Sequence, residues 1–196
     1  MAAQPMDQSK VIQSEFDTAA RVLETMRADP TFSDRVSQSA ELCARAVRGG
    51  GKILAVGNGG SCADAVHFCE ELTGRYRESR DPIPAIACAD AGHLTCTAND
   101  FGYDAVFERW VQALARPDDA VIALSTSGNS ANILRAVNAA HERGASTVTL
   151  LGKGGGKLAG VGTIEFIVPG ETADRIQELH MLILHALVGG IERALA

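Results

Sequence analysis

The chain has 196 residues, 46% of them hydrophobic and 21% charged, and carries a formal net charge of −6. The acidic balance and the lack of a Lys/Arg run exclude a nucleic-acid-binding surface. No apolar stretch approaches the roughly 20 residues that a membrane-spanning helix needs. The opening segment MAAQPMDQSK lacks the hydrophobic core of a secretory signal, so a cytoplasmic protein is expected. Five cysteines, an odd number without CxxC spacing, read as small buried apolar residues of a reducing compartment.

In chain order, residues 9–26 place Val11, Ile12, Phe16, Ala19, Val22, Leu23 and Met26 on one face of a helix. Asp29-Pro30 ends it, and a second helix over residues 33–48 stops at Gly49-Gly50-Gly51. Alternation then begins. Short apolar strands are predicted at residues 52–56, 84–88, 120–124, 147–151 and 164–168, with helices at 61–76, up to Ala115, at 131–143 and at 173–194. Near-continuous apolar strands separated by helices predict a doubly wound α/β sandwich, a five-stranded parallel sheet with helices on both faces. The two helices that precede the first strand are extra to that plan. No linker or repeat divides the chain, so residues 1–196 read as a single domain, a helical extension (1–50) followed by the α/β core (51–196).

In such sheets ligands collect beyond the carboxyl ends of the strands. Two strand-to-helix turns are rich in glycine and serine: Gly57-Asn58-Gly59-Gly60-Ser61 and Ser125-Thr126-Ser127-Gly128-Asn129-Ser130. In the second, hydroxyls and free backbone N–H groups meet a helix start, whose dipole favours an anion, and phosphate fits that description. An ordinary Ser-rich N-cap is the alternative. The first turn lacks the G-x-G-x-x-G spacing of a dinucleotide site, and no acidic residue follows where a ribose needs one.

His67 and Glu71 are spaced to stack on one helix face, where imidazole and carboxylate can hold a metal, work as an acid/base pair, or form an exposed surface pair. The last helix carries Gln177, His180 and His185 in an apolar stretch, and a polar group buried there needs a partner or a function. Gln177 and His185 are separated by eight positions, about 80° around the helix and about 12 Å along it, too far apart to share one metal without distortion. Cys62 and Cys69 could reach a metal but lack paired-thiolate spacing. Asn99-Asp100 read as turn formers or sugar-hydroxyl ligands, Asp174 as a residue suited to a helix start, and the loop from Lys153 to Lys157 as a flexible turn. His93 and His141 carry no assigned role.

Taken together, the glycine turn, Glu70-Glu71-Leu72-Thr73-Gly74-Arg75-Tyr76, Asn99-Asp100-Phe101-Gly102, the serine loop and Asp174-Arg175-Ile176-Gln177-Glu178 resemble the phosphoheptose isomerases of the sugar-isomerase (SIS) domain superfamily. The resemblance runs over essentially the whole chain and implies a flavodoxin-like fold. It implies an aldose–ketose isomerase converting sedoheptulose 7-phosphate to glycero-manno-heptose 7-phosphate for a nucleotide-activated heptose. It also implies one zinc per subunit on His67, Glu71, Gln177 and His185, and phosphate on Ser61, Ser125, Thr126, Ser127 and Ser130. The implied sugar contacts are Asn58, Gly59, Gly60, Arg75, Asn99, Asp100 and Asp174, with Glu71 and Gln177 also facing the substrate. Glu71 and His185 are the implied acid/base residues, and the implied assembly is a homotetramer. The rival expectation is a non-catalytic SIS-domain protein that binds a sugar phosphate or the replication initiator protein.

Overall fold

The computed structural model describes residues 7–196; part of the segment read as lacking a signal core, residues 1–6, lies outside the described residues. Helix α1 (Gln8–Arg27) starts at Asp7, whose carboxylate accepts from the Ser9 backbone N–H. Helix α2 (Phe32–Arg48) follows and ends at the Gly49 cap. The apolar face predicted for α1 is covered only at its C-terminal half. Val22 and Met26 are buried, whereas Val11, Ile12 and Phe16 remain 38%, 51% and 68% exposed.

The core alternates as expected: β1 (Ile53–Gly57), α3 (Gly60–Thr73), β2 (Ala85–Ala87), α4 (Ala91–Phe101), α5 (Val106–Leu114), β3 (Ala120–Ser125), α6 (Ala131–Glu142), β4 (Ser146–Gly152), β5 (Ile164–Val168) and α7 (Ala173–Leu195). All strand pairs are parallel, in the order β2-β1-β3-β4-β5. Residues along each strand point alternately to opposite faces. Ile53, Ala55, Ile122, Leu124, Val148 and Leu150 therefore pack against α2, α3 and α7, and Leu54, Val56, Val121, Ala123 and Leu151 against α4, α5 and α6. The sheet is covered on both faces, which is why its central strands can be apolar throughout.

Chain direction across the sheet reverses between β1 and β3, so the carboxyl ends of those two neighbours form the switch-point crevice. The glycine turn leaves β1 and the serine loop leaves β3, so both open onto it. Three local expectations change. The helix after the glycine turn ends at Thr73, because Gly74 breaks it. Asn99 and Asp100 stand in the last turn of α4, which Asp90 nucleates by accepting from the His93 backbone N–H. The loop from Lys153 to Leu158 is a kinked glycine turn, with Gly154, Gly155 and Gly156 at positive φ, packed on the serine loop, with the Leu158 N–H donating to the Gly128 carbonyl at 3.0 Å.

Candidate active site

The serine loop is shaped by close packing. Gly128 has φ 63°, and a Cβ there would stand 2.0 Å from the Gly155 carbonyl oxygen, so only glycine fits. Asn129 braces the loop, donating to the Ser127 carbonyl at 2.9 Å and accepting from the Lys157 N–H at 3.1 Å. The Ser127 hydroxyl accepts from the Asn129 N–H at 3.1 Å. Ser130 is the N-cap residue of α6, yet its side chain makes no cap bond; its hydroxyl stands 3.1 Å from that of Ser125. α3 likewise begins without a side-chain cap, at Gly59. The start of α6, without a side-chain cap, therefore offers N–H donors at the crevice beside Ser125, Thr126, Ser127 and Ser130. The Ser61, Cys62 and Ala63 N–H groups of α3 instead donate to the Asn58 and Gly59 carbonyls, leaving the Ser61 hydroxyl as its contribution.

α3 approaches α7 closely because Gly60 has no side chain: a Cβ on it would lie 2.4 Å from the Gln177 amide nitrogen. Further along the same two helices, the Nε2 atoms of His67 and His185 are 3.3 Å apart. Glu71 Oε1 stands 3.5 Å from the first and 3.6 Å from the second. Tyr76 stacks on the His185 ring, with centroids 5.8 Å apart and planes 15° from parallel. The other Glu71 oxygen, Oε2, is buried without a hydrogen-bond partner among the described residues.

In the tautomers that leave both Nε2 atoms without a proton, two imidazoles and a carboxylate turn lone pairs alone toward one point, an arrangement that suits a cation. Donors at about 2.0–2.2 Å from a tetrahedral zinc stand about 3.3–3.6 Å from one another, which matches the three separations. The donor set therefore fits zinc. Gln177 is not at the triangle: its amide lies over Gly60, and α7 is a continuous helix that keeps it about 12 Å along the axis from His185.

Asn58 is tied into a polar chain, exchanging two 2.9 Å amide bonds with buried Asn132 and accepting from the Tyr103 hydroxyl at 2.8 Å. The Asn99 amide donates to the Asp100 carboxylate at 2.8 Å, and Arg75 is exposed on the segment after α3. The Asp174 carboxyl is held below its usual range, chiefly by the Thr172 hydroxyl and with help from Arg175. Asp64, one turn before His67, is pushed upward by burial against the pull of that imidazole. Burial drives the thiols of Cys43, Cys69 and Cys88 up to about 12, so these three are inert apolar residues as expected, whereas Cys62 is half-buried and Cys96 exposed, against the expectation for all five. His93 and His141 are structural, bonded to the Val106 carbonyl and the Thr147 hydroxyl.

Sequence reasoning passed over Asn129, Asn132, Tyr103 and Tyr76. Asn132 left a usable signal, a polar residue on the apolar face of α6. Tyr76 left none, because its stacking depends on how α7 is seated.

A parallel sheet of this order with a serine loop at its switch point is compatible with several doubly wound families; the SIS-domain family model matches residues 16–152, which makes this an SIS-domain protein. The finer grouping follows from whole-chain likeness. The phosphoheptose isomerase of Yersinia pestis (strain Pestoides F) is 50% identical over 184 residues, 93% of this chain and 95% of that protein. The phosphoheptose isomerase structure from Neisseria gonorrhoeae superposes with a TM-score of 0.88 at 38% identity, covering 95% of this chain and 100% of that one. The one from Francisella tularensis gives 0.90 at 33% identity, covering 96% and 100%. The chain belongs to the phosphoheptose isomerase family.

Proposed function

We propose that the protein is an aldose–ketose isomerase that converts D-sedoheptulose 7-phosphate to D-glycero-D-manno-heptose 7-phosphate. The observation that carries this reading is the triangle formed by His67 and Glu71, on the helix that begins at the crevice, and His185 of α7. Ser61, at the start of α3, and His67 are about 9 Å apart along the helix, the scale of an extended sugar phosphate. Phosphate held by the serine loop and the α6 N-terminus thus places the carbonyl end of the sugar beside the triangle. Binding energy at the remote phosphate positions the reacting carbons.

Moving the carbonyl from C2 to C1 requires a base to take a proton from C1 and return it to C2, through an enediol. Glu71 is the candidate base because it is the carboxylate of the cluster: Oε1 belongs to the triangle, and Oε2 is buried without a hydrogen-bond partner among the described residues, so a turn of the carboxylate would be needed to offer it to the carbon proton. His185 is read as the group that serves the proton exchanged between O1 and O2, through the ring nitrogen that the metal would leave free, and Tyr76 keeps its ring oriented. His67, Glu71 and His185 would hold a zinc ion, one per subunit, with Gln177 as the fourth candidate. When bound, the metal supplies Lewis-acid polarisation of the carbonyl.

Asn58, Gly59, Gly60, Arg75, Asn99, Asp100, Asp174 and Gln177 are the candidate sugar contacts. The exposed apolar residues of α1, with Leu182 on α7 and a cleft of about 800 Å³ between α2 and α7, support burial against further copies in a homotetramer. No helix among the described residues is long and apolar enough to cross a membrane, in keeping with a proposed cytoplasmic location.

The test is incubation with sedoheptulose 7-phosphate in D₂O. The aldose product carrying deuterium at C2 is expected. Tight binding of the sugar phosphate without isomerisation or exchange would instead identify a non-catalytic binding protein.

A further inference from the structure

Arg80 lies beyond the helix that carries His67 and Glu71, in a segment with no chemical motif, yet nearly every donor of its guanidinium is committed. One terminal nitrogen donates to the Glu71 carbonyl at 2.7 Å. The other donates to the Leu72 carbonyl at 2.7 Å and to the Asp81 carbonyl at 3.2 Å. Nε donates to Glu192 on α7 at 2.9 Å. Both charged side chains are only 18% exposed.

The last carbonyls of a helix have no intrahelical donor, and a cation there also complements the helix dipole. Arg80 fills that vacancy at the C-terminus of α3 while its remaining edge grips α7. Glu192 follows His185 by two turns, on a similar side of α7. The clamp therefore joins the backbone of Glu71 to the helix that carries His185.

This matters because the triangle has one local edge and two long-range ones. His67 and Glu71 share α3, so their separation is set by helix geometry. The 3.3 Å and 3.6 Å edges to His185 depend on how α3 sits against α7. The apolar contacts between these helices, among them Phe68, Leu72, Ile183 and Leu184, resist separation but tolerate sliding. A metal tolerates errors of only about 0.2 Å in ligand distance. The close approach of Gly60 to Gln177 fixes one end of the pair, and a planar fork holding two carbonyls and a carboxylate fixes the other.

We propose that Arg80, anchored by Glu192, is a positioning residue that sets the α3–α7 register on which the His67–Glu71–His185 cluster depends, an inference that rests on reading that cluster as a metal site. Lysine keeps the charge but cannot grip both carbonyls and Glu192 together, so Arg80→Lys tests the fork alone. Glu192→Gln, which retains an acceptor, is the milder second variant.

The experiment measures zinc release from the purified holo-proteins to a chromogenic chelator, beside thermal unfolding and the kinetics of sedoheptulose 7-phosphate. Both variants are expected to release zinc roughly 10- to 100-fold faster than the parent. Their kcat should fall while KM moves less than about threefold, because the serine loop is untouched. The double variant should add little to Arg80→Lys, since both act through one contact. Lowered thermal stability with parental zinc release and kcat would overturn the proposal, leaving Arg80 as a brace of the fold. A parent protein that holds no zinc would overturn the metal-site reading itself, and the proposal with it.

Discussion

At the serine-loop end of the crevice the hydroxyls come mainly from six consecutive residues, whereas at the α3–α7 end two of the converging side chains are 118 positions apart. The first end is built from local geometry: a strand, a positive-φ glycine and an uncapped helix start. The second is built from packing, in which two helices must meet in one register.

The comparison predicts different failures at the two ends. At the packed end, Glu71→Gln and His185→Gln proteins should fold yet lose kcat by about 10²–10⁴-fold, as expected when an acid/base group is removed. Steady-state kinetics with circular dichroism of the same preparations checks this.

A related prediction concerns what seats α7. His180 is fully buried, bonded through Nε2 to the Leu151 carbonyl at 3.1 Å, and burial lowers its pKa to about 4. The unfolded chain takes up this proton near pH 6.5, before the native state does. Stability from the neutral ring is therefore complete above about pH 6.5 and lost as pH falls toward 4, by about 3 kcal/mol. Denaturant titrations across that window should show the loss, and a His180→Gln protein should show less of it.

At the local end the effects are smaller. Gly128→Ala forces a Cβ toward the Gly155 carbonyl at positive φ and should cost at least about 2 kcal/mol by thermal unfolding, with weaker phosphate binding. Ser127→Ala removes one hydroxyl from the loop and should raise KM about 10-fold with little change in kcat.

The same division explains what the sequence made legible. Strand and helix positions, the parallel sheet and the two crevice turns could be read because apolar period, glycine and serine act over short range. The serine loop was readable for that reason, and His67 with Glu71 because one helix turn relates them. The seating of Gln177 over Gly60, Tyr76 on His185 and Arg80 across two helices had no local signature, since each depends on the register of α7 against α3. Asn99 and Asp100 read as turn residues because their propensity favours turns, yet the Asp90 cap carries α4 through them.

Two helices far apart in sequence are proposed to build one metal-assisted acid/base site, and turnover of sedoheptulose 7-phosphate by chelator-stripped protein, before and after zinc is restored, decides it. Loss of turnover with the fold intact, recovered at one zinc per subunit in the parent but not in His67→Ala, is the predicted result. Undiminished turnover at negligible metal content would contradict it.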